Sequence, residues 1–410
     1  MSKLLLKRYF SGLTTNSFLL AFVSLFADIS TEMLYPVLPI FLTQTLKANG
    51  SIVGLVEGIA QATQNTVQGF SGWLSDKLQK RKSIALVGYT LSALAKPFIG
   101  LSTIWQGVLS ARFLDRLGTG TRSAPRDALI ASSVDEQNRG KAFGIEGIGD
   151  NLGAFLGPLV AILLLFYLKI DIRYIFYLAF IPGLLAVVMI TFVKEKSPTD
   201  AEKSKPEISI KNFPKDYWKY LFTIALFGLG NSSNAFLILQ TKSIGVPLEI
   251  TILIYAFFNL VSALISYPSG FLSDKLGRKN ILLFSFLIFL IAYLGFALTL
   301  NIYLVAILFI LYGLYQGIFR TVGKTLATDL VPQSLRASGV GWYSTTVGLS
   351  GLIASIVAGQ LWDKVGHQSV FIYGVFFAAM GITTATFLVS NQPLIISTKG
   401  SKTAGKTIRK

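Results

Sequence analysis

Residues 72–82 read GWLSDKLQKRK, and residues 270–280 read GFLSDKLGRKN. The two stretches lie 198 residues apart and agree at Gly, Leu, Ser, Asp, Lys and Leu, so one short element occurs twice. Each follows a long apolar run and ends in a cluster of basic residues. The same offset pairs a polar stripe ahead of each element: Glu57, Gln61, Gln64 and Gln68 match Tyr255, Asn259, Ser262 and Ser266. Both stripes have i, i+4, i+7, i+11 spacing, which on a helix makes one wet face. At offset 197, Arg139–Gly144 (RGKAFG) matches Arg336–Gly341 (RASGVG). Three correspondences in one order imply an internal duplication, and duplicated halves around a central site are a transporter design.

The composition names the solvent. Of 410 residues 52% are hydrophobic and 14% charged, against about a quarter charged in soluble proteins. The mean hydropathy is +0.60, so much of the surface belongs in lipid. Phe supplies 31 residues and Gly 37, suiting helices that face lipid outside and pack closely inside. Cysteine is absent, which excludes disulfides and thiolate metal sites. The net charge of +17 is spread over short segments between apolar runs. That is the pattern that orients membrane proteins, and it argues against a nucleic-acid partner. The first apolar run, 17–27, continues through Asp28 and Glu32 into more apolar chain without a small-residue cleavage site, unlike a signal peptide.

Spanning ~30 Å of hydrocarbon takes about 20 residues. Twelve runs qualify: 16–44, 51–74, 83–102, 105–131, 141–168, 173–193, 217–242, 248–273, 280–299, 302–328, 338–362 and 368–390. The domain reading is a six-helix bundle over 1–193, a polar linker over 194–216 (KEKSPTDAEKSKPEISIKNFPKD from 194), a second bundle over 217–390, and a basic tail over 391–410. Lys3, Lys7, Arg8, Lys77, Lys80, Arg81, Lys82, Arg139, Lys141, Lys275, Arg278, Lys279, Arg336, the linker and the tail share one side. The other side has few, Lys47, Lys169, Arg173 and Lys364 among them. Both termini are therefore expected in the cytoplasm of a bacterial cell, with the bundle in the inner membrane.

On the duplicated loop the chain resembles the major facilitator superfamily over nearly its whole length. That family's signature is G-x-L-x-D-[RK]-x-G-[RK]-[RK]. Gly72, Leu74, Asp76, Lys77, Lys80 and Arg81 fit it with Gln79 in place of the glycine, and Gly270, Leu272, Asp274, Lys275, Gly277, Arg278 and Lys279 fit it throughout. The resemblance implies an all-α integral membrane fold of two six-helix bundles related by a pseudo-two-fold axis. It also implies that Asp76, Lys77, Arg81, Asp274 and Arg278 latch the cytoplasmic side. An aspartate at a helix end can pair with basic residues or cap a neighbouring N-terminus; the simpler reading is that the basic residues only set topology. Gly144, Gly153, Gly157 and Pro158 resemble the family's antiporter motif, with Ala161 and Ile162 replacing its last two glycines, which implies export; close packing by small residues explains them equally. The run from Asp115 to Ala128, D-R-x-G-x-G-x-R-x-A-P-R-D-A, resembles a signature of one bacterial branch of the superfamily.

Charges inside the spans mark candidate sites, because an ionisable group at the bilayer centre costs ~2.5–3.5 kcal/mol. Asp28 and Glu32 lie one turn apart on the first span and have no acidic counterparts at offset 198 (Leu226, Gly230), so the shared scaffold does not require them. They are expected to bind and release protons, or else to pair with an arginine. By counting turns, Arg126 is level with Glu146 and Arg122 with Asp150, which predicts interhelical pairs of gating type. Asp115 can neutralise only one of Arg112 and Arg116 well, and Arg320 and Lys324 have no acidic neighbour within their helix, so Arg116 and Arg320 are expected to meet an anionic group, with Lys324 beside them. With Glu57, Gln61, Gln64, Gln68, Asn231, Asn234 and Asn259 they would line a wet cavity. Lys96 has no assigned role. His367 is the only histidine, so neither a metal site nor a cofactor is expected.

The function read from these residues is a secondary transporter, active as a monomer, that moves a small organic solute with protons as partner. Export of a metabolite, chelator or drug is the first reading, and import of an organic anion the second. No G-x-x-x-x-G-K-[ST] loop supports ATP-driven pumping. A membrane-embedded enzyme would need a nucleophile–histidine or zinc set, which is missing. A non-transporting receptor or scaffold predicts no solute counterflow, and a channel leaves the duplicated latch without a purpose.

Overall fold

A computed structural model of the chain describes residues 11–78, 80–195, 213–332 and 335–389. Twelve spanning segments account for nearly all of them. In the first half, α1 is Thr15–Glu32, α2 Gly50–Leu78, α3 Arg81–Leu101, α4 Trp105–Ser132, α5 Arg139–Tyr167 and α6 Ile172–Thr191. In the second, α7 is Lys215–Ser243, α8 Leu248–Leu276, α9 Arg278–Leu298, α10 Ile302–Asp329, α11 Arg336–Lys364 and α12 His367–Leu388. The helix limits repeat. α2 and α8 are offset by 198 residues at both ends, and α4 and α10 by 197.

Two expected spans are interrupted. α1 stops at Glu32, and the chain resumes as Leu38–Ile40 followed by a π-helical turn over Phe41–Thr45. α7 breaks between Gly230 and Ala235. Both breaks fall just before the level of the cavity's closed end, and 198 residues separate the last helical residues, Glu32 and Gly230. The interval Lys196–Asn212 of the linker, the tail from 390 onward, and Lys3, Lys7 and Arg8 lie outside the described residues.

Among the described residues, nine helices are long and apolar enough to cross a membrane. The three spans that miss this mark are α1, α2 and α4, and these carry Asp28 and Glu32, the glutamine stripe and the arginine run. A helix with a wet inner face fails a test of average hydropathy although its outer face is apolar. Large apolar side chains such as Phe22, Phe70, Phe98, Tyr267 and Phe387 stand exposed on the outside, as lipid requires.

Small residues set the inner spacing. A Cβ on Gly118 of α4 would lie 2.6 Å from the Gly88 carbonyl of α3, and one on Gly153 of α5 would lie 2.5 Å from the Leu25 carbonyl of α1. The halves meet along two seams, α2 on α11 and α5 on α8. Gly277, between α8 and α9, has φ +89°, which explains the glycine of the second signature loop. Its first-half counterpart, Gln79, lies outside the described residues.

Candidate functional site

A cavity of about 630 Å³ lies between the halves, within the range of ligand pockets. Asp28, Glu32, Glu57, Gln61, Gln64, Gln68, Arg116, Asn231, Asn234, Asn259, Arg320 and Lys324 all line it. Its lining runs on through Ser123, Arg126 and Asp127 toward the end of the bundle that holds the α2–α3, α4–α5 and α10–α11 turns, the linker end. The far end is shut. There the Asp363 carboxylate on α11 accepts from the backbone N–H groups of Gly50 (2.8 Å) and Ser51 (2.7 Å) and from the Ser51 hydroxyl, capping α2 across the seam. The Tyr35 and Tyr255 rings stack across the seam at 5.5 Å, and Trp362 stacks on His367 at 3.9 Å. At the linker end the seam relaxes: a Cβ on Gly54 would overlap the Ser355 carbonyl, whereas one on Gly69 would meet Gly341 at an ordinary 3.4 Å.

The arginine run of α4 forms a buried network. Arg112, 0% exposed, donates from Nε to Glu57 Oε1 (3.0 Å), from Nη2 to Glu57 Oε2 (3.2 Å) and from Nη1 to Asp115 Oδ2 (2.9 Å). Asp115 also accepts from the Ser92 hydroxyl at 2.6 Å and has Lys96 Nζ 3.7 Å away. Lys96 is thereby explained as a countercharge. Arg116 contacts Asp115 through Nε (3.4 Å) and donates from Nη1 to Gln64 Oε1 (3.0 Å). Three cations thus share two carboxylates, and Arg116 Nη2 is left without a hydrogen-bond partner although the residue is only 8% exposed. Glu57, expected as a wall of the cavity, does line it, but both its oxygens are committed to Arg112.

Nearer the linker end, Arg126 Nη1 lies 3.0 Å from Glu146 and 3.9 Å from Asp150, and its Nη2 lies 2.9 Å from Asp127. The Ser24 hydroxyl donates to Glu146 at 2.7 Å. The expected Arg122–Asp150 pair is replaced: the Arg122 guanidinium lies over the Tyr89 ring of α3, 4.4 Å from its centroid. The reason is geometric. Glu146 and Asp150 are one turn apart on α5, so the single long side chain of Arg126 reaches both. Asp28 lines the cavity beside Asp150, with Arg122 and Glu32 as its other charged neighbours.

Glu32 faces the second half. Its Oε2 accepts from the Tyr255 hydroxyl (3.1 Å) and from Asn259 Nδ2 (3.2 Å), both on α8. Its cationic neighbours are Arg116 from one half and Arg320 from the other. Arg320 lies in a π-helical turn, Phe319–Gly323, that interrupts α10 just before Lys324; such turns recur at functional sites. Neither Arg320 nor Lys324 has a carboxylate at ion-pair distance among the described residues. Asn231 and Asn234 both accept from the Tyr312 hydroxyl, at 3.3 and 2.8 Å.

The second signature loop binds within its own half here. Arg278 pairs with Asp274 (3.3 Å) and with Asp329 (2.7 Å), tying α9 to α10. Lys77 lies over Trp73, 4.9 Å from the ring centroid, and the Arg81 backbone N–H donates to Glu195 Oε1 at 2.7 Å. The Asp76 side chain lies outside the described residues. Asp363, Tyr35, Ser92 and the role of Lys96 escaped the sequence reading, because each acts through a partner on a distant helix. Among the described residues no group of three His, Cys, Asp or Glu could hold a metal ion.

A family model described as Major Facilitator Superfamily matches residues 20–239 and 220–410. The chain belongs to the major facilitator superfamily. It is 36% identical over 373 residues to an uncharacterised transporter of this type from Methanocaldococcus jannaschii, covering 89% of this chain and 93% of the relative. It is 28% identical to a probable 4-methylmuconolactone transporter of Cupriavidus pinatubonensis, covering 83% and 84% of the two chains. It is 26% identical to the cis,cis-muconate transport protein of Acinetobacter baylyi, covering 92% and 94%. Among solved structures, a mutant form of the nucleoside transporter NupG superposes with TM-score 0.78 at 15% identity, covering 92% of this chain and 100% of that one. The all-α, two-bundle membrane architecture is that of the superfamily, and the chain is a multi-pass transporter of this fold.

Proposed function

We propose that this protein carries a small organic anion across the cytoplasmic membrane by alternating access, coupled to protons and complete as a monomer. One observation carries the reading: the cavity between the halves presents Arg116 Nη2 unpartnered, with Arg320 and Lys324 on the opposite wall at ion-pair distance from no described carboxylate. Buried cationic donors of that kind call for an anionic partner. Arginine's planar fork suits a carboxylate. Relatives named for muconolactone and muconate transport support an organic-acid cargo.

In the cycle, the two bundles rock about the cavity while its walls stay with their own half. The structure, shut by the Asp363 cap and open at the linker end, represents one extreme. By the distribution of Lys and Arg, the linker end faces the cytoplasm. Asp28 and Glu32 supply the proton-binding carboxyl groups. The Arg126–Glu146 pair and the Arg278–Asp329 pair hold the linker-end helices within each half, as gating elements.

Export is a second reading, favoured by Gly153 and Gly157. Both press against α1 beside the acids: a Cβ on Gly153 would lie 2.8 Å from Asp28 Cβ, and one on Gly157 would lie 3.0 Å from Glu32 Cβ. Counterflow of radiolabelled organic acids in proteoliposomes tests the transport reading. Accumulation in acid-loaded vesicles is expected, and its loss in Arg116→Gln. Counterflow of organic cations alone would refute the anionic cargo. An imposed pH gradient of each sign then assigns direction.

A further inference from the structure

We propose that the cavity holds a second, uncharged subsite at the break in α7, which receives a neutral oxygen of the cargo, so that the cargo is an oxo- or hydroxy-acid rather than a plain acid or a diacid. The inference rests on the organic-anion reading and names the substrate class within it. α7 leaves the helix after Gly230 and resumes at Ala235. Ser233 holds the break: its N–H donates to the Ser355 hydroxyl at 3.1 Å, and its own hydroxyl accepts from the Ala235 N–H at 3.2 Å. The adjacent Ser232 is different. Its hydroxyl has no hydrogen-bond partner among the described residues, yet the residue is 4% exposed and lines the cavity. The same holds for the Tyr315 hydroxyl on α10, in a residue 1% exposed. Buried polar atoms are normally paired, and two exceptions on one wall of one cavity call for a ligand's atoms. A third donor is set by its neighbours. The Tyr312 hydroxyl donates to Asn234 Oδ1 at 2.8 Å, and Asn234 Nδ2 donates to Gln316 Oε1 at 3.3 Å. That relay fixes the Gln316 amide and leaves its Nε2 hydrogens for the cavity that the residue lines.

The duplication separates these groups from the scaffold. At offset 198 Ser232 matches Leu34, and at offset 197 Tyr315 matches Gly118, so the shared fold does not require either hydroxyl. The same register places the charge. Arg116, with its unpartnered Nη2, matches Gly313 and therefore stands at the depth of Tyr312–Gln316 on the opposite wall. The cations of the second wall, Arg320 and Lys324, come later on α10, toward the linker end. The subsite is thus neutral and rich in donors. A carbonyl or hydroxyl oxygen finds partners there. A second carboxylate would be buried without a countercharge, and a methyl group would leave the donors unpaired. An acid held by Arg116 with an oxygen acceptor a few bonds away spans the cavity and touches both halves.

Levulinate, pentanoate and glutarate share a five-carbon chain and differ only beyond the third carbon. Their binding to the purified full-length protein is measured by titration calorimetry. Levulinate is expected to bind about tenfold tighter than pentanoate, and tighter than glutarate. In Tyr315→Phe and in Ser232→Ala the levulinate preference over pentanoate is expected to fall toward one. The thermal midpoint of each is expected to equal or exceed that of the unaltered protein, because each change deletes a buried hydroxyl that has no protein partner. A lowered midpoint with the preference intact would make the hydroxyls structural and overturn the proposal. Equal affinity for levulinate and pentanoate, or a preference for glutarate, would overturn it while leaving an anion carrier standing. Binding of methyl levulinate, with none by the three acids, would bring down the organic-anion reading and the two-ended cargo with it.

Discussion

Replacing Asp363 with alanine is the perturbation whose size the structure best defines. The carboxylate accepts from two backbone N–H groups, 2.8 and 2.7 Å away, and from the Ser51 hydroxyl, at the first turn of α2 in the opposite half. Loss of a helix cap costs about 0.5–2 kcal/mol, and loss of an anion at a helix N-terminus about 0.3–1 kcal/mol. Because Asp363 is exposed and its charge screened, the lower parts of both ranges apply, giving about 1–2 kcal/mol. The bond exists only when the far end is shut, so the whole amount shifts the balance between the two extremes. That is a change of about 5- to 30-fold toward the far-end-open state. The chain has no native cysteine, so spin labels at Thr103→Cys and Leu300→Cys, exposed in the far-end loops of the two halves, report the separation without background. Pulsed electron–electron resonance is expected to show a longer far-end distance gaining population in Asp363→Ala. Asp363→Asn, which keeps an acceptor but no charge, should fall between. An unchanged distance distribution in Asp363→Ala would show that the cap does not hold the far end shut.

Three further outcomes follow from the packing. Gly153→Leu places side-chain atoms against the Leu25 carbonyl, where a Cβ alone would sit at 2.5 Å; overpacking of about 1–3 kcal/mol should lower the thermal midpoint, and an unchanged midpoint would mean that α1 and α5 do not pack as described. Arg112→Met strands Glu57 in the interior and takes one of three cations from Asp115 and should destabilise by about 3–5 kcal/mol, largely reversed by adding Glu57→Gln; a double-mutant cycle in thermal unfolding reads the coupling. Tyr255→Phe removes one donor to Glu32 and should alter the pH dependence of transport more than stability, as uptake assays and melting curves together would show.

Much of this architecture is legible in the sequence because lipid and repetition both leave strong periodic marks. The repeated G-x-L-S-D-K-L element and the polar stripe at the same offset announce two halves, and the stripe residues do line the cavity. What escaped is pairing between distant helices. Nothing local to Lys96 indicates that Asp115 lies 3.7 Å away on α4, nor to Tyr35 that it stacks on Tyr255. Counting turns places Arg126 beside Glu146 but misassigns Arg122, because a long side chain can choose either of two carboxylates spaced one turn apart, and an aromatic ring then takes the other arginine. The breaks after Glu32 and Gly230 are invisible to hydropathy, since both flanks remain apolar.

The sharpest measurement is side-specific thiol labelling of neighbouring positions on α8. Ser266 lines the cavity, and Tyr267, 85% exposed on the outer surface, faces lipid. In membrane vesicles a membrane-impermeant maleimide is predicted to modify Ser266→Cys from the linker side, to be slowed by a transported organic acid, and to spare Tyr267→Cys. Equal labelling of both positions, or labelling of Tyr267→Cys alone, would contradict a water-filled passage between the two bundles.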